Sequence, residues 1–222
     1  MTGSSRGIGA EIARLFAQEG AGVAHVVLLS GSSVVASDLN NAISRYMIRS
    51  EAAVRESGLP WTFLQPSSFM SNTFQWVSQL RASDVVRAPF PRVRVAMIDP
   101  YDIAAVAATV LSSQGHAGQS YRLTGPESLL PADRVHILAK VLGRELRFEG
   151  QSDAEARAEM NSTMPAEYVD AFLSFFAEGK LDESHVLPTV QEVTGRPPRT
   201  FEQWARAHAD AFNGAESAKG FA

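Results

Sequence analysis

The first residues of the chain have the types and spacing of a phosphate-binding turn. Gly3, Gly7 and Gly9 lie in the sequence TGSSRGIG. The first glycine allows a tight turn, the second lets backbone amides approach a phosphate, and the third lets the next helix pack closely. The positive end of that helix would favour the phosphate further. The Arg6 guanidinium suits the extra 2′-phosphate of NADP, because it can donate two parallel hydrogen bonds to phosphate oxygens.

This turn lacks one part of its usual setting. Such a turn follows a buried β-strand, and here only Met1 precedes it. A glycine-rich N-terminus that frays is therefore the alternative interpretation. The candidate cofactor-binding residues of this segment are Gly3, Ser4, Ser5, Arg6, Gly7, Ile8 and Gly9.

Hydroxyl groups also follow two predicted strands where these strands end. Ser30 closes the apolar run VAHVVLLS, and Ser67 follows WTFLQP. Ligands of open α/β sheets bind at the carboxyl ends of the strands, so Ser30, Pro66, Ser67 and Phe69 are candidates for holding a carboxamide or a substrate oxygen. Turn formation and helix capping explain the same residues equally well.

Composition argues against several other kinds of site. The chain has no cysteine, five histidines without metal-ligand spacing and no GxSxG sequence, which disfavours thiolate, metal and serine-hydrolase chemistry. A net charge of −4 argues against nucleic acid or an anionic membrane as partner, and no apolar run has the length of a membrane span. We therefore expect a cytoplasmic protein that acts on a small molecule, with a homo-oligomer as one option.

Apolar runs that alternate with amphipathic stretches predict an α/β protein with a parallel sheet. The predicted strands are residues 23–30, 61–65, 92–98, 120–124 and 146–149. The predicted helices are residues 10–19, 40–57, 68–80, 100–112, 132–142, 153–162, 165–178, 184–194 and 200–212. This order predicts a dinucleotide-binding, Rossmann-like domain in residues 1–150, a helical lobe that caps a substrate cleft in residues 151–212, and a flexible tail in residues 213–222. Asp99 and Asp102 are interpreted as helix caps.

Two parts of the sequence resemble two branches of one superfamily. TGSSRGIGAEIARLFAQEGA resembles the opening of an ordinary short-chain dehydrogenase/reductase. From residue 22 to about residue 212, the chain is similar to NmrA-like NAD(P)-binding proteins, which are atypical members of that superfamily. The segments that carry this similarity are GVAHVVLLSG, SEAAVRESGLPWTFLQPSSFMSN, IDPYDIAAVAATVL, GHAGQSYRLTGPE and TGRPPRTFEQWARAHADAF. The resemblance implies an NADP cofactor. NAD is less favoured, because no acidic residue closes the strand VVLLSGSS to hold its ribose.

The resemblance also implies a shortened sheet. In such proteins several strands and helices separate the glycine turn from the strand that GVAHVVLLSG resembles, whereas here one predicted helix joins them. The first strand and roughly the second to fourth βα units would then be missing. Alternatively, VAHVVLLS takes the place of the second strand. In either case we expect an incomplete adenosine pocket.

Ordinary short-chain dehydrogenases supply a proton from a tyrosine that is paired with a lysine four residues later. Here Tyr46 is followed at that spacing by Ser50, and the three lysines lie elsewhere in the chain. The catalytic residue is therefore unknown, with Ser30 and Tyr46 as the candidates. A partly buried helix residue is the simpler interpretation of Tyr46.

NmrA-like proteins that lack this pair either reduce quinone-like acceptors by direct hydride delivery or only sense the nucleotide. The resemblance thus implies hydride transfer from NAD(P)H to a small quinone-like or carbonyl acceptor. A non-catalytic regulatory module and a remnant without cofactor binding are the alternatives. The resemblance further implies that the loops with Ser30 and Ser67 border the nicotinamide, and that Arg196 and Arg199 anchor the last helix.

Overall fold

The structure is a computed structural model that describes residues 22–213 of the chain. Three strands form its central sheet: β1 (Val26–Leu29), β2 (Trp61–Pro66) and β4 (Gln119–Leu123). All pairs are parallel, and the order is β1-β2-β4. Leu29 of β1 lies opposite Leu64 of β2. The carboxyl ends of the three strands therefore meet at one edge, as the predicted α/β fold requires.

A second parallel sheet consists of β3 (Val85–Ala88) and β5 (Arg147–Gly150). Two isolated bridges lie outside these strands, where Ile98 pairs with Phe69 and Val95 pairs with Leu129. The segment that leads away from β3 thus runs beside the loop that follows β2. This segment matters below, because it forms part of the site.

Nine α-helices surround the sheets within residues 22–213. They are α1 (Ala42–Glu56), α2 (Val77–Ala82), α3 (Pro100–Ser112), α4 (Pro131–Leu142), α5 (Asp153–Asn161), α6 (Ala166–Phe176), α7 (Thr189–Thr194), α8 (Phe201–Ala207) and α9 (Ala209–Phe212). Short 3₁₀ segments follow β1 and β2, at Ser32–Ala36 and Met70–Trp76. None of the helices described here has the length and apolar character needed to cross a membrane.

The start of α3 carries an ion-pair cluster that holds the chain just before α8. Asp99 accepts a hydrogen bond from the Tyr101 amide at 2.9 Å and caps the helix as predicted. The buried Asp102 accepts a hydrogen bond from the Arg199 amide at 2.7 Å and pairs with Arg196 Nη1 at 3.1 Å. Arg199 also pairs with Asp99 at 3.3 Å, and both guanidinium groups lie over the Tyr101 ring. The predicted anchoring role of the two arginines is confirmed.

The largest apolar core lies between β3, α4 and the C-terminal helices. Trp76, Leu138, Trp204 and Phe212 are among its fully buried side chains. Helices α8 and α9 therefore share a core with residues that precede Gly150, while α5 and α6 pack on each other. The division of the chain at residue 150 stays a prediction.

Four details differ from the elements that the sequence predicts. Residues 92–98 form only the bridges at Val95 and Ile98, because the backbone groups of Ala96 bond to Glu183 and Gly125 instead of to a strand. The helix predicted at 184–194 is limited to α7, and the helix predicted at 68–80 begins as a 3₁₀ segment. Strand β3 was not predicted, since four residues are too short to show a period.

Strand β1 is less buried than its apolar sequence predicts. A run such as VVLL is typical of a parallel strand that is covered on both faces. Here its first three residues are half-buried, and Leu29 is 51% exposed. Within residues 22–213, β1 pairs only with β2, so its outer edge has no strand partner in the described part of the chain.

Residues 1–21 and 214–222 lie outside the described residues. The glycine turn with Gly3, Gly7 and Gly9 and the predicted helix at 10–19 belong to the first of these segments, and most of the predicted tail belongs to the second. These expectations stay predictions.

Candidate functional site

The loops after β1 and β2 lie side by side at the carboxyl edge of the central sheet. The Ser30 amide donates to the Leu64 carbonyl at 2.8 Å, and the Ser67 amide donates to the last carbonyl of β4 at 2.9 Å. Pro66 ends β2, and the half-buried Phe69 packs against the core between β2 and α3. The four described candidates of the sequence analysis are therefore neighbours. Their contact with a cofactor stays a prediction.

The Ser30 hydroxyl belongs to a buried polar cluster beneath the first loop. Glu51 of α1 is 3% exposed, and its Oε1 accepts hydrogen bonds from Ser30 Oγ at 2.7 Å and Gln65 Nε2 at 2.8 Å. Its Oε2 pairs with Arg55 at 3.1 Å. The buried charge is thus compensated. Because its proton points to Glu51, the Ser30 hydroxyl can meet a ligand only as a hydrogen-bond acceptor.

The Ser67 hydroxyl is used in a similar way. It is buried, and it donates to the Ala96 carbonyl at 2.5 Å. This bond joins the loop after β2 to the segment that follows β3. Ser67 therefore stabilises the shape of the edge, and its proton is not free for a ligand.

A second carboxylate, Glu183, connects the two loops. It follows α6 and is 7% exposed. It accepts hydrogen bonds from the Ser32 hydroxyl, from Ser68 Oγ at 2.6 Å and from the Ser68 amide at 3.3 Å. Its own carbonyl accepts from the Ala96 amide at 2.7 Å. Sequence reasoning missed Glu183, because nothing in GKLDESHVLP distinguishes it from its charged neighbours.

Replacing Glu183 with glutamine should lower the free energy of unfolding by about 1–2 kcal/mol. The glutamine oxygen can still accept from the amide and hydroxyl of Ser68, and its NH₂ group can donate to the Ser32 hydroxyl once that hydroxyl turns. The expected loss is therefore that of the negative charge, which strengthens all three hydrogen bonds. Urea unfolding measures the change. Glu178→Gln is the matched control, since Glu178 and its partner Lys180 are both more than half exposed, and we expect no measurable effect. Equal stabilities of the two variants would contradict the linking role of Glu183.

Tyr46 lies on the surface of α1 and is 38% exposed. Its carbonyl accepts a hydrogen bond from Ser50 Oγ, the residue at the position where the relay would need a lysine. Tyr46 is not among the residues that line the cavity described next. Among residues 22–213, no contact supports a catalytic role for Tyr46, and this role stays a prediction.

A cavity of about 690 Å³ opens beside Ser68. Its walls come from the segment that contains Trp76, from the residues that follow β3, and from α5 and α6, which contribute Met160 and Phe172. The start of α4 adds Arg134, a second residue that sequence reasoning missed. The volume lies within the roughly 300–1,000 Å³ that is common for small-molecule sites, and the lining is mostly apolar with a few polar groups.

The groups at this edge suit the nicotinamide end of a dinucleotide and not its phosphates. Glu51 and Glu183 place two buried carboxylates beneath the loops, and Glu183 has no cationic partner within residues 22–213. Arg55 offsets the charge of Glu51, but the charge of Glu183 disfavours a phosphate directly at these two loops. An uncharged carboxamide and the cationic ring of an oxidised nicotinamide are compatible with it. Phosphate binding would therefore depend on residues 3–9, where the sequence predicts the glycine turn.

The chain is similar to two reductases over most of its length. It is 42% identical over 193 residues to a (4-alkanoyl-5-oxo-2,5-dihydrofuran-3-yl)methyl phosphate reductase of Streptomyces griseus, and the match covers 86% of this chain and 68% of that protein. It is 37% identical over 205 residues to an NAD(P)H azoreductase of Xenophilus azovorans, with 91% and 71% covered. No family model matches the chain.

Solved structures share the fold. An NADPH-dependent quinone oxidoreductase from Escherichia coli has a TM-score of 0.72 at 21% identity, covering 90% of this chain and 72% of that one. A triphenylmethane reductase from a Citrobacter species has a TM-score of 0.72 at 17% identity, covering 92% and 70%. These similarities agree with the segments of the sequence that resemble NmrA-like proteins. The chain belongs to the NmrA-like, atypical short-chain dehydrogenase/reductase superfamily of NAD(P)-binding oxidoreductases.

Proposed function

We propose that the chain binds NADPH and reduces a small quinone-like or conjugated carbonyl acceptor. The observation that carries this proposal is the cavity beside Ser68, at the carboxyl edge of the parallel sheet, where ligands of such sheets bind. The two similar proteins support it, because both are named as reductases and one as an enzyme that uses NAD(P)H.

The cofactor would span the edge from the glycine turn to the loops after β1 and β2. Residues 3–9 would hold the phosphates, with Arg6 favouring NADPH over NADH. Ser30, Pro66, Ser67 and Phe69 would border the nicotinamide. This requires the turn to reach β1 across one predicted helix, in the shortened sheet that the sequence predicts.

Bound NADPH supplies a hydride, which together with one proton from water reduces the acceptor and leaves NADP⁺. The chain itself positions the acceptor. Phe172 and Phe176 line the cavity, and aromatic side chains can pack against a planar ring. The amide groups of Asn72 and Gln75 line the cavity and can donate hydrogen bonds to acceptor oxygens.

The sequence favours quinone-like acceptors over simple ketones. None of the four tyrosines is followed four residues later by a lysine. Reduction of a simple ketone leaves a strongly basic alkoxide, which needs a positioned acid. Reduction of a quinone leaves a phenolate-like oxygen that can take its proton from water. The missing relay is therefore compatible with turnover of a quinone-like acceptor.

We also propose that residues 1–150 hold the cofactor, while the helical lobe in residues 151–212 caps the acceptor. Helices α5 and α6 support this division, since both contribute to the cavity wall. We place the protein in the cytoplasm, where NADPH serves as reductant, and a chain without disulfide-forming cysteines is compatible with that reducing compartment. A homo-oligomer would cover the outer edge of β1, which lacks a strand partner within residues 22–213.

NADPH oxidation with menadione as acceptor tests the proposed function. We expect Thr163→Trp to raise the KM for menadione by about fivefold or more, since Thr163 lines the cavity and a larger side chain there would reduce its volume. The affinity for NADPH should not change.

Ser162→Trp is the matched control for this experiment. Ser162 is the preceding residue, is exposed like Thr163, and likewise donates its hydroxyl to a carbonyl three residues back, but it does not line the cavity. Its KM should equal that of the unaltered chain. If both variants behave alike, the acceptor does not bind in this cavity. If the unaltered chain oxidises NADPH no faster than buffer does, the proposed activity is wrong.

A further inference from the structure

Arg134, near the start of α4, is a buried guanidinium without a counter-charge in the described part of the chain. Arg134 is 9% exposed, and burial lowers the pKa of its guanidinium to about 10. The group therefore still carries its charge at neutral pH. Burying a charge without a partner is costly, and proteins rarely do so without a use for it. Within residues 22–213, no carboxylate forms an ion pair with Arg134.

The contacts of Arg134 compensate this charge only in part. Nη1 donates to the Met97 thioether at 3.0 Å, and Cζ lies 5.0 Å from the centre of the Trp76 ring. Nε has no hydrogen-bond partner. A thioether is a weak acceptor, and a ring face attracts a cation far less than a carboxylate does. Most of the hydrogen-bonding capacity of the guanidinium is therefore unused.

This guanidinium borders the cavity of about 690 Å³. The other charged group among the described lining residues is Glu159, which accepts a hydrogen bond from Gln151 and is exposed. Met160, Phe172 and other apolar side chains make up much of the remaining wall. The cavity thus combines a largely apolar wall with one cationic side chain, and the N–H groups of that side chain have no strong hydrogen-bond acceptor among the described residues.

We propose that Arg134 binds an oxyanion of the substrate, so that the acceptor is an organic anion with a phosphate, sulfonate or carboxylate group on an apolar body. A guanidinium can donate two parallel hydrogen bonds to such a group and supplies its counter-charge, and Arg134 does so from a largely buried position. The identity of the anion as the acceptor rests on the proposed reductase function. The anion site itself does not, because binding can be measured without turnover.

Calorimetric titration of the full chain with phenyl phosphate, in the absence of NADPH, tests this site. We expect saturable binding that becomes at least about tenfold weaker in Arg134→Gln, and equally in Arg134→Met, whose apolar side chain suits the buried position if the glutamine variant folds poorly. Phenol, which lacks the anion, should bind weakly and with the same affinity in all variants. Arg147→Gln is the control, because Arg147 is an exposed arginine outside the cavity, and it should bind phenyl phosphate as the unaltered chain does.

The outcomes separate this inference from the proposed function. Arg134-dependent binding of phenyl phosphate supports the anion site even if no acceptor is reduced, in which case only the reductase assignment fails. If phenyl phosphate does not bind, or if the unaltered chain and both Arg134 variants bind it equally, the inferred anion site is wrong. A separate NADPH titration excludes the other source of phosphate: if Arg134→Gln weakens NADPH binding by the same factor as phenyl phosphate binding, the site belongs to the cofactor and the inference is wrong.

Discussion

Replacing Gly125 with alanine is expected to lower the free energy of unfolding by about 3 kcal/mol or more. Gly125 follows β4, and a Cβ there would lie 2.0 Å from the Met97 carbonyl oxygen and 3.2 Å from Met70 Cε. The carbonyl is a backbone atom and cannot rotate away, so the two segments would have to separate. That movement would also weaken the hydrogen bond from the Gly125 amide to the Ala96 carbonyl. Urea unfolding followed by circular dichroism measures the loss.

Gly22→Ala is the matched control for this substitution. No atom of residues 22–213 lies within 4 Å of the position that its Cβ would take, so the change in stability should stay below about 0.5 kcal/mol. If Gly125→Ala is as stable as Gly22→Ala, the close approach between the chain after β4 and the segment with Met97 does not exist. The site would then lose part of its support, because Met97 lines the cavity.

Replacing Asp102 with alanine is expected to cost about 2–4 kcal/mol. Its carboxylate is fully buried, and removal would leave the Arg199 amide without its acceptor and Arg196 without its ion-pair partner. The lower end of the range allows for water around Arg196, whose side chain is 36% exposed. Burial raises the pKa of Asp102. The hydrogen bond from the Arg199 amide and the charge of Arg196 lower this pKa and partly offset the effect of burial. The same unfolding experiment measures the effect.

Asp170→Ala provides the comparison with an exposed ion pair. Asp170 pairs with Arg157 at 2.6 Å, but both side chains are at least half exposed, so its loss should cost less than about 1 kcal/mol. A cost for Asp102→Ala no larger than that for Asp170→Ala would show that the cluster at the start of α3 does not hold the C-terminal helices in place.

The parts of this fold that follow from local chemistry are those that the sequence predicts. The cap at Asp99 and the strand that contains Leu64 are marked by residue type and spacing within a few positions. The anchoring role of Arg196 and Arg199 follows instead from the resemblance to NmrA-like proteins, because the carboxylates that bind Arg199 lie 97 and 100 positions away in the sequence. Strand β3 escapes prediction because it is short, and the strand expected at 92–98 fails because its alternation reflects packing of side chains and not pairing of a regular strand.

Only those residues of the candidate site that directly follow a predicted strand can be predicted from the sequence. Ser30 and Ser67 are found in this way, but the structure shows that their protons are used within the chain. Glu183 and Arg134 could not be found, since each acquires its role from residues distant in sequence. Glu183 meets Ser32, which lies 151 positions away, and Arg134 meets Met97 across 37 positions. Charge, burial and lack of compensation at these positions become visible only in three dimensions.

A fluorescence titration of the full chain with NADPH tests the central claim most directly, because every step of the proposed reaction requires a nicotinamide at the edge formed by the loops after β1 and β2. We predict a saturable change, weaker binding of NADH because Arg6 suits the 2′-phosphate, and loss of the NADPH signal once menadione is added. No saturable change up to millimolar NADPH would contradict the account.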